Sequence, residues 1–403
     1  MNKNIKLAVA GAVLALSASA NAGIIIPAGD WTVDIGGNVN SFVTSTKLSG
    51  NMATASREDT PVQIQTGLLP SALGIGAKTR QNDLDVAVQF SFFMGSNQNG
   101  GDNLSNSATS NGGLGYSSLN IRQSYLTFGD KSWGTVLVGR NLGVYGSDAI
   151  LSDMTLLGVG SGAGGAGGSS TLGRIGSGYL YADWKAQMAY TTPNFNGLTA
   201  VVAVTEMNGQ IDRGTLGYEG KINFDFGSGD TTGKLWVGGK SGEVQTAVTA
   251  GSSTVAPAGI VTDHKAEAFD FGGKVASGGA EVVAYYYTAK NSDSGIGTYL
   301  NTYETSTAGF YRRENHGGYI QGTYKLPGVG TKVGLSFGKS VIERSAAAGD
   351  TSDAEREATI IGLYHPLTKH VNIVAEYNNL DVNAHAGTTG KAQTGSLGAI
   401  LFF

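Results

Sequence analysis

Residues 215–226 read TLGYEGKINFDF, and the order of apolar and polar side chains in this stretch decides the fold class. Tyr218 and Ile222 stand at even positions with other apolar residues, whereas Glu219 and Lys221 stand at odd positions with polar residues. Successive side chains of a β-strand point to opposite faces. The pattern therefore predicts a strand with one apolar surface and one polar surface.

The same alternation recurs along the chain, for example in residues 33–40, 85–92, 269–275 and 332–337. Short turns such as Ser277–Gly279 alternate with long polar loops, so that seven short and eight long connections separate sixteen predicted strands. An even number of strands with short turns at one end is typical of transmembrane β-barrels. The predicted fold class is an all-β, sixteen-stranded antiparallel transmembrane β-barrel.

Two other β architectures compete with the barrel. A soluble β-sandwich would bury its apolar faces in one core, but a sheet of this size would leave edges that need protection. A β-solenoid would show a repeat of fixed length, and the sequence has none. Closure of the sheet removes every edge, which lipid requires because it offers no water to unpaired backbone groups.

The N-terminus has the layout of a secretory signal peptide. Two lysines precede an apolar run, Leu7–Leu16, and Ala20–Ala22 supplies small residues at a cleavage site. The run is too short to span a bilayer. We expect residues 1–22 to be removed and residues 23–403 to form a single exported barrel domain.

Composition excludes several classes of function. The formal charge of −4 becomes −6 once the two lysines of the signal peptide are removed, which disfavours nucleic acid as a partner. The chain has no cysteine, and its five histidines are scattered without the spacing of a catalytic or zinc motif. We therefore expect no enzyme activity, no cofactor and no metal.

Several stretches resemble the general diffusion porins, the trimeric sixteen-stranded family of Gram-negative outer membranes. The final strand, Gln393–Phe403, ends on a phenylalanine that resembles the assembly signal of outer-membrane barrels, and Phe403 is predicted to have that role. Four further segments resemble, in order, two strands, the exit of the third loop and a following turn of the family: Ile121–Gly129, Gly134–Asn141, Leu172–Gly176 and Tyr190–Gly197.

The resemblance implies that the long loop at residues 141–178 folds inward and narrows the pore. In the family, acidic residues of this loop face arginines on the wall. Mapped by motif, the predicted constriction residues are Arg122, Arg140, Arg174 and Asp153, with Asp148 as a second loop acid outside a matching motif.

Three positions depart from the family pattern. The second loop carboxylate falls on Leu157, and two basic wall positions fall on Asn38 and Ala72. Both signs of charge are therefore reduced, and we expect weak ion selectivity, tilted towards cations by the acidic composition.

The predicted function is passive diffusion of small hydrophilic solutes and ions through a water-filled channel in the bacterial outer membrane. Family likeness implies a homotrimer, contact with outer-membrane lipids and insertion by the barrel-assembly machinery. A channel selective for one nutrient is the alternative, with Tyr285–Tyr287 as an aromatic track, although alternation puts at most two of these tyrosines on one face. A structural or adhesive surface protein is a third class.

Overall fold

The computed structural model describes residues 23–55, 60–96, 119–161, 170–206, 216–247, 261–290, 303–306, 309–312, 314–344, 353–383 and 389–403. The predicted signal peptide, residues 1–22, lies outside these ranges, as does most of the polar loop at residues 96–118.

Almost all of the described secondary structure is β. The strands are β1 Ile24–Ala28, β2 Trp31–Gly50, β3 Val62–Gln65, β4 Ser71–Gln81, β5 Leu84–Met94, β6 Asn120–Asp130, β7 Gly134–Leu142, β8 Trp184–Thr191, β9 Leu198–Thr205, β10 Gly217–Ser228, β11 Thr231–Ala247, β12 Val261–Ser277, β13 Ala280–Lys290, β14 Tyr303–Ser306, β15 Gly309–Arg312, β16 Glu314–Lys325, β17 Lys332–Ile342, β18 Ala354–Pro366, β19 Val371–Asn383 and β20 Thr389–Phe402.

The described helices are short: α1 spans Asn51–Ala55, α2 spans Ser147–Ser152, and a 3-10 helix spans Met154–Leu157. None of the helices in the described ranges is long and apolar enough to cross a membrane.

Sixteen of these strands form one closed antiparallel barrel, which confirms the predicted fold class. From β4 to β13 each strand pairs with the next, β13 pairs with β16, and the order continues to β20. The ring closes at β2, which pairs with both β20 and β4. β1 and β3 are short additions beside β2, and β14 and β15 form a separate hairpin.

The two faces of the wall differ as the alternating pattern predicts. On β12, Phe271 is 51% exposed, whereas the preceding Asp270 is only 2% exposed. On β10, Tyr218 is exposed and Glu219 is buried. Apolar side chains therefore cover the outside of the barrel and polar side chains line its inner face, the arrangement that a barrel in lipid requires.

Tight turns close the short connections. Asn82 and Asp83 join β4 to β5, and both have positive φ, as a type I′ hairpin turn requires. Gly278 and Gly279 join β12 to β13 with positive φ at both positions. These residue types adopt left-handed backbone at little cost, which explains why the sequence turns within two residues there.

The first and last described strands meet at one seam of the barrel. β1 pairs with residues 31–35 of β2, and β20 pairs with residues 38–50 of the same strand. Between them, Phe403 exchanges two backbone hydrogen bonds with Gly37, with N···O distances of 2.8 and 3.0 Å. β20 and β1 therefore lie end to end along β2, and Phe403 lies within the sheet.

Candidate functional site

The segment that joins β7 to β8, residues 143–183, is described for 143–161 and 170–183, and most of these residues are buried. It contains α2 and the 3-10 helix. Its side chains belong to a cluster with buried residues of β11, β13, β16, β18 and β19, so the principal packed core of the protein lies between this segment and the strands. We call it the β7–β8 segment.

A buried ion pair holds the base of the segment. Glu219 on β10 accepts hydrogen bonds from the backbone N–H groups of Val144 and Tyr145, at 2.7 and 3.0 Å. The carboxylate also forms an ion pair with Lys185 on β8, and these two side chains are 1% and 4% exposed. A buried charge needs a partner, and here the carboxylate serves both the lysine and the chain entering the segment.

Asp148, one of the predicted constriction residues, lies in α2 between two lysines of the wall. Its carboxylate accepts hydrogen bonds from Lys221 on β10, at 2.7 Å, and from Lys234 on β11. Burial disfavours the charged carboxylate, but the two ammonium groups outweigh it and lower the pKa of Asp148 to about 2. Its ion-pair partners are therefore lysines, whereas the resemblance implied arginines.

Asp153, the second predicted acid, caps the 3-10 helix. Its side chain accepts a hydrogen bond from the Thr155 N–H at 2.9 Å and another from the Tyr179 hydroxyl at 2.8 Å. Burial and the neighbouring Asp153 carboxylate raise the pKa of Tyr179 well above its ordinary value. Asp153 thus joins the two halves of the segment, which we call the outgoing half (residues 143–161) and the returning half (residues 170–183).

Polar side chains of the distant wall satisfy the backbone of the 3-10 helix and α2. Gln321 on β16 accepts from the Met154 N–H at 2.8 Å and donates to the Ser152 carbonyl at 3.1 Å. The Tyr319 hydroxyl donates to the Ala149 carbonyl at 2.8 Å. Buried backbone groups outside a regular ladder need such partners, and the wall supplies them.

The bend at Gly158–Gly160 is held by Glu376 on β19. One oxygen of this carboxylate accepts from the Val159 and Gly160 N–H groups, both at 2.7 Å, and the other accepts from the Tyr364 hydroxyl at 2.6 Å. A Cβ on Gly158 would lie 2.2 Å from the Glu376 carboxylate, so only glycine fits beside it. Glu376 was not among the residues predicted from the sequence.

Arg174, predicted as a basic wall residue, belongs to the returning half of the segment and is 0% exposed. Its guanidinium donates to the Ser336 hydroxyl at 2.6 Å and to the Ala358 and Ser177 carbonyls at 3.2 and 3.3 Å. Burial lowers its pKa. In this position Arg174 fastens the segment to β17 and β18.

The other two predicted arginines lie on the neighbouring strands β6 and β7. Arg122 on β6 is buried, with its guanidinium 4.7 Å from the centre of the Phe93 ring. Arg140 on β7 is exposed and has Ser124 and Ala186 as register partners. Residues two apart on a strand share a face, and Val138 shares the outward apolar face of the barrel. Register thus groups Arg140 with Val138, but the preceding Gly139 has positive φ, and the charge of Arg140 acts on the buried Tyr181 of the β7–β8 segment.

Asn38 and Ala72, two of the positions that depart from the family pattern, lie next to a feature that the sequence did not reveal. Asn38 on β2 pairs with Ala72 on β4, and immediately before β4 the chain leaves the sheet. Residues Thr66–Ser71, which we call the wall bulge, are all buried. The Leu68 N–H donates to the Gly158 carbonyl at 2.9 Å, so the wall bulge contacts the same bend as Glu376.

Glu219, Glu376, Lys221, Lys234 and the wall bulge are the main residues missed by sequence reasoning. Their signal was present but weak: each charged residue stands at a polar position of an alternating strand. Alternation assigns such residues to the inner face without indicating which of them contact the β7–β8 segment. In the described ranges no three potential metal-ligating side chains come together.

A closed sixteen-stranded barrel with an apolar outer face and a polar inner face defines an integral membrane channel of the outer-membrane type. The Gram-negative porin family matches residues 7–385, and the chain belongs to this family. It is accordingly a β-barrel porin of the bacterial outer membrane, a channel and not an enzyme, as the sequence predicted.

Solved structures support the fold. The outer-membrane channel DcaP of Acinetobacter baumannii is 15% identical, with a TM-score of 0.65 over 95% of this chain and 100% of that chain. An anion-selective porin from Comamonas acidovorans is 16% identical, with a TM-score of 0.60 over 93% and 100%. OmpF of Salmonella typhi, in complex with daunomycin, is 15% identical, with a TM-score of 0.59 over 94% and 100%. No curated protein sequence matches the chain.

Proposed function

We propose that this porin allows passive diffusion of small hydrophilic solutes and ions, and that the β7–β8 segment folds inward as the constriction of the pore. The observation that carries the proposal is the spread of the segment's contacts. It bonds to β10 and β11 through Glu219, Lys221 and Lys234, and to β19 through Glu376. β10 and β19 lie far apart around the ring, so a segment crossing the interior is the arrangement that reaches both.

A water-filled path beside the segment is supported by the size and chemistry of the wall. A barrel of sixteen strands is wide enough to leave a lumen. Its inner face carries amides and hydroxyls, including Asn40, Thr44, Gln89 and Ser396. The inner face of the wall is therefore polar, in contrast to its apolar outer face.

We further propose weak ion selectivity with a slight preference for cations. The preference rests on the charge of −6 for residues 23–403. We expect the preference for cations to be weak because acidic side chains at the segment form ion pairs with lysines: Asp148 is paired with two lysines and Glu219 with Lys185. Asp148 and Asp153 then act as loop acids of the constriction, whereas Arg122 and Arg174 act mainly by holding their surroundings in place.

A homotrimer is the proposed assembly. An in-vitro folded OmpT of Vibrio cholerae, 16% identical with a TM-score of 0.56, has been solved in a trimer form. Cross-linking of the purified protein in detergent tests this part, and a species of three subunits is expected. A species of one subunit at every protein concentration would contradict it.

Liposome swelling with sugars of graded size tests the diffusion path. Rates that fall with solute size, without saturation, are expected for a general porin. Saturation with a single solute would instead indicate the nutrient-selective alternative, and absence of flux would indicate a structural role. The reversal potential in a planar bilayer under a KCl gradient tests selectivity, and a strong anion preference would contradict the weak cation preference.

The aromatic track considered for a selective channel gains no support from the described side chains. Tyr285 and Tyr287 lie on the inner face but are 5% and 0% exposed, and Tyr286 lies on the outward face. Tyr285 stacks with Trp236 and contacts Tyr319, beneath the β7–β8 segment. These rings pack the segment against the wall, so the general diffusion channel is the better-supported function.

A further inference from the structure

The wall bulge is an excess of chain in one place of the barrel wall. Phe42 of β2 pairs with Gln65, and Asn38 of β2 pairs with Ala72. Three residues of β2 between these pairs therefore face six residues of the neighbouring chain, Thr66–Ser71. A bulge bends the backbone out of the regular sheet. All residues of this one are buried.

Asn40 holds the wall bulge in place with its whole side-chain amide. The amide nitrogen donates to the Leu69 carbonyl at 2.7 Å, and the amide oxygen accepts from the Gly67 N–H at 2.9 Å. The Asn40 backbone N–H, which has no strand partner on this side, donates to the Ser71 hydroxyl at 3.1 Å. The Asn40 and Gly67 N–H groups and the Leu69 carbonyl thus have partners where the ladder is interrupted, which a membrane barrel requires of its backbone.

The wall bulge contacts both halves of the β7–β8 segment. Leu68 N–H donates to the Gly158 carbonyl in the outgoing half, at 2.9 Å. The Gly67 carbonyl accepts from Thr171 N–H in the returning half, at 3.3 Å. The two halves are also bonded to each other, because Ser161 N–H donates to the Gly173 carbonyl at 2.9 Å.

The contact between the wall bulge and the two halves of the β7–β8 segment depends on a glycine in each of these three stretches. A Cβ on Gly67 would lie 2.1 Å from the Gly158 carbonyl oxygen, and a Cβ on Gly173 would lie 2.3 Å from the Leu68 side chain. A Cβ on Gly160 would lie 2.5 Å from the Gly173 Cα. Three chain segments therefore meet backbone to backbone, and their spacing leaves no room for adjustment.

The wall bulge adjoins the Asn38–Ala72 pair of β2 and β4. These are the two positions where the family resemblance implies basic wall residues and this chain has neutral ones. At this place the chain has an inward protrusion of neutral backbone that supports the constriction. Here the wall acts on the width of the pore by contact, without charge.

We propose that the wall bulge positions the β7–β8 segment and thereby sets the width of the pore, with Gly67 and Leu68 as its positioning residues. This inference rests on the proposed function, since it requires the segment to be the constriction. Gly67→Ala forces the bend at Gly158 away from the wall and into the open part of the lumen. Leu68→Ala frees the space next to Gly173 and lets the returning half move towards the wall.

The two substitutions are expected to have opposite effects on single-channel conductance in planar bilayers and on the size cutoff in liposome swelling. Gly67→Ala lowers conductance by at least about twofold, and Leu68→Ala raises the flux of the largest permeant sugar by at least about twofold. Gly395→Ala is the matched control, because Gly395 lies on β20 and a Cβ added there would have no neighbouring atom within 4 Å. The control is expected to keep both values.

A merely structural bulge would lower the unfolding temperature and leave both transport values unchanged, and that result would overturn the inference. So would equal effects of Gly395→Ala. If Gly67→Ala fails to fold, Leu68→Ala decides alone, because it removes atoms and creates no clash. Failure of the wild-type protein to conduct KCl would count against the proposed function itself, which makes the two failures distinguishable.

Discussion

The β7–β8 segment is fastened to the wall in two different ways at its base and at its bend. At the base, ion pairs hold the segment: Glu219 pairs with Lys185, and Asp148 pairs with Lys221 and Lys234. At the bend, backbone groups of glycines meet the wall bulge directly, and Glu376 accepts two N–H groups from the other side.

The attachments at the base and at the bend should tolerate different conditions. Long charged side chains follow small movements of the chain, but they depend on protonation state and, where water reaches them, on salt. Backbone contacts between glycines do not titrate, but they fail as soon as a Cβ is added. The base is therefore expected to respond to solution conditions and the bend to respond to substitutions.

The largest effect is expected from breaking the buried ion pair at the base. Lys185→Ala removes the cation that is hydrogen-bonded to the buried Glu219 carboxylate, whereas the two N–H donors and the more distant Lys240 remain. Loss of one partner of a buried pair costs about 3–5 kcal/mol. Urea unfolding from lipid vesicles should show this decrease in the free energy of unfolding.

The double variant Lys185→Ala with Glu219→Gln is the control for that measurement. It removes both charges and keeps an acceptor for the Val144 and Tyr145 N–H groups. It should recover a substantial part of the lost stability, because an unpaired buried charge is no longer present. An equal loss in both variants would show that packing, and not charge, dominates the base.

At the bend, the next largest effect should come from Glu376. Glu376→Ala leaves the Val159 and Gly160 N–H groups without their acceptor, and each buried unsatisfied group costs about 1–3 kcal/mol. Glu376→Gln keeps one carbonyl oxygen at this place and should cost less than half as much. The same unfolding assay compares them, and equal losses would mean that the carboxylate charge matters more than its acceptor geometry.

Acid should loosen the base by protonating Asp148. The pKa of Asp148 is lowered from 3.8 to about 2, so its stabilisation is fully present above about pH 4 and is lost as pH falls through about 2. The difference corresponds to about 2 kcal/mol. The part of the single-channel conductance that depends on Asp148 should therefore change only below about pH 4.

Asp148→Asn provides the control at neutral pH. The amide keeps the shape of the side chain but removes the charge that Lys221 and Lys234 bind. Its conductance near neutral pH should resemble that of the wild-type protein at low pH, and its own acid response should be weaker. An unchanged acid response in Asp148→Asn would assign the titration to a different group.

The fold was predictable from the sequence because lipid imposes a simple rule on every strand. Alternation in stretches such as residues 215–226 assigns each side chain to one face, and Phe271 and Asp270 follow that assignment. The short turn at Ser277–Gly279 was equally readable, and Gly278 and Gly279 have positive φ there. These signals are local, so one sequence is enough to read them.

The site was predictable only in part because its contacts join distant parts of the chain. Asp148 and Asp153 lie in the segment as expected, but the partners of Asp148 are lysines more than seventy residues away. Arg140 shows the limit of alternation as a guide, since register groups it with outward-facing Val138 while its charge acts on Tyr181 of the segment. The wall bulge left no periodic signal because Thr66–Pro70 lie outside the regular strands.

The smallest effect should come from removing one of the two lysines at Asp148. Lys234→Gln leaves Lys221 in place, and both ammonium-bearing side chains are partly exposed, so the loss should be below about 1 kcal/mol. Its conductance should differ from that of the wild-type protein at about 0.1 M KCl and converge with it at about 1 M KCl, because the screening length falls from about 10 Å to about 3 Å. Gly67→Ala serves as the contrast, since a steric change at the bend should persist at both salt concentrations. If the effect of Lys234→Gln persisted in the same way, the base would be held by shape and the distinction between the two attachments would be wrong.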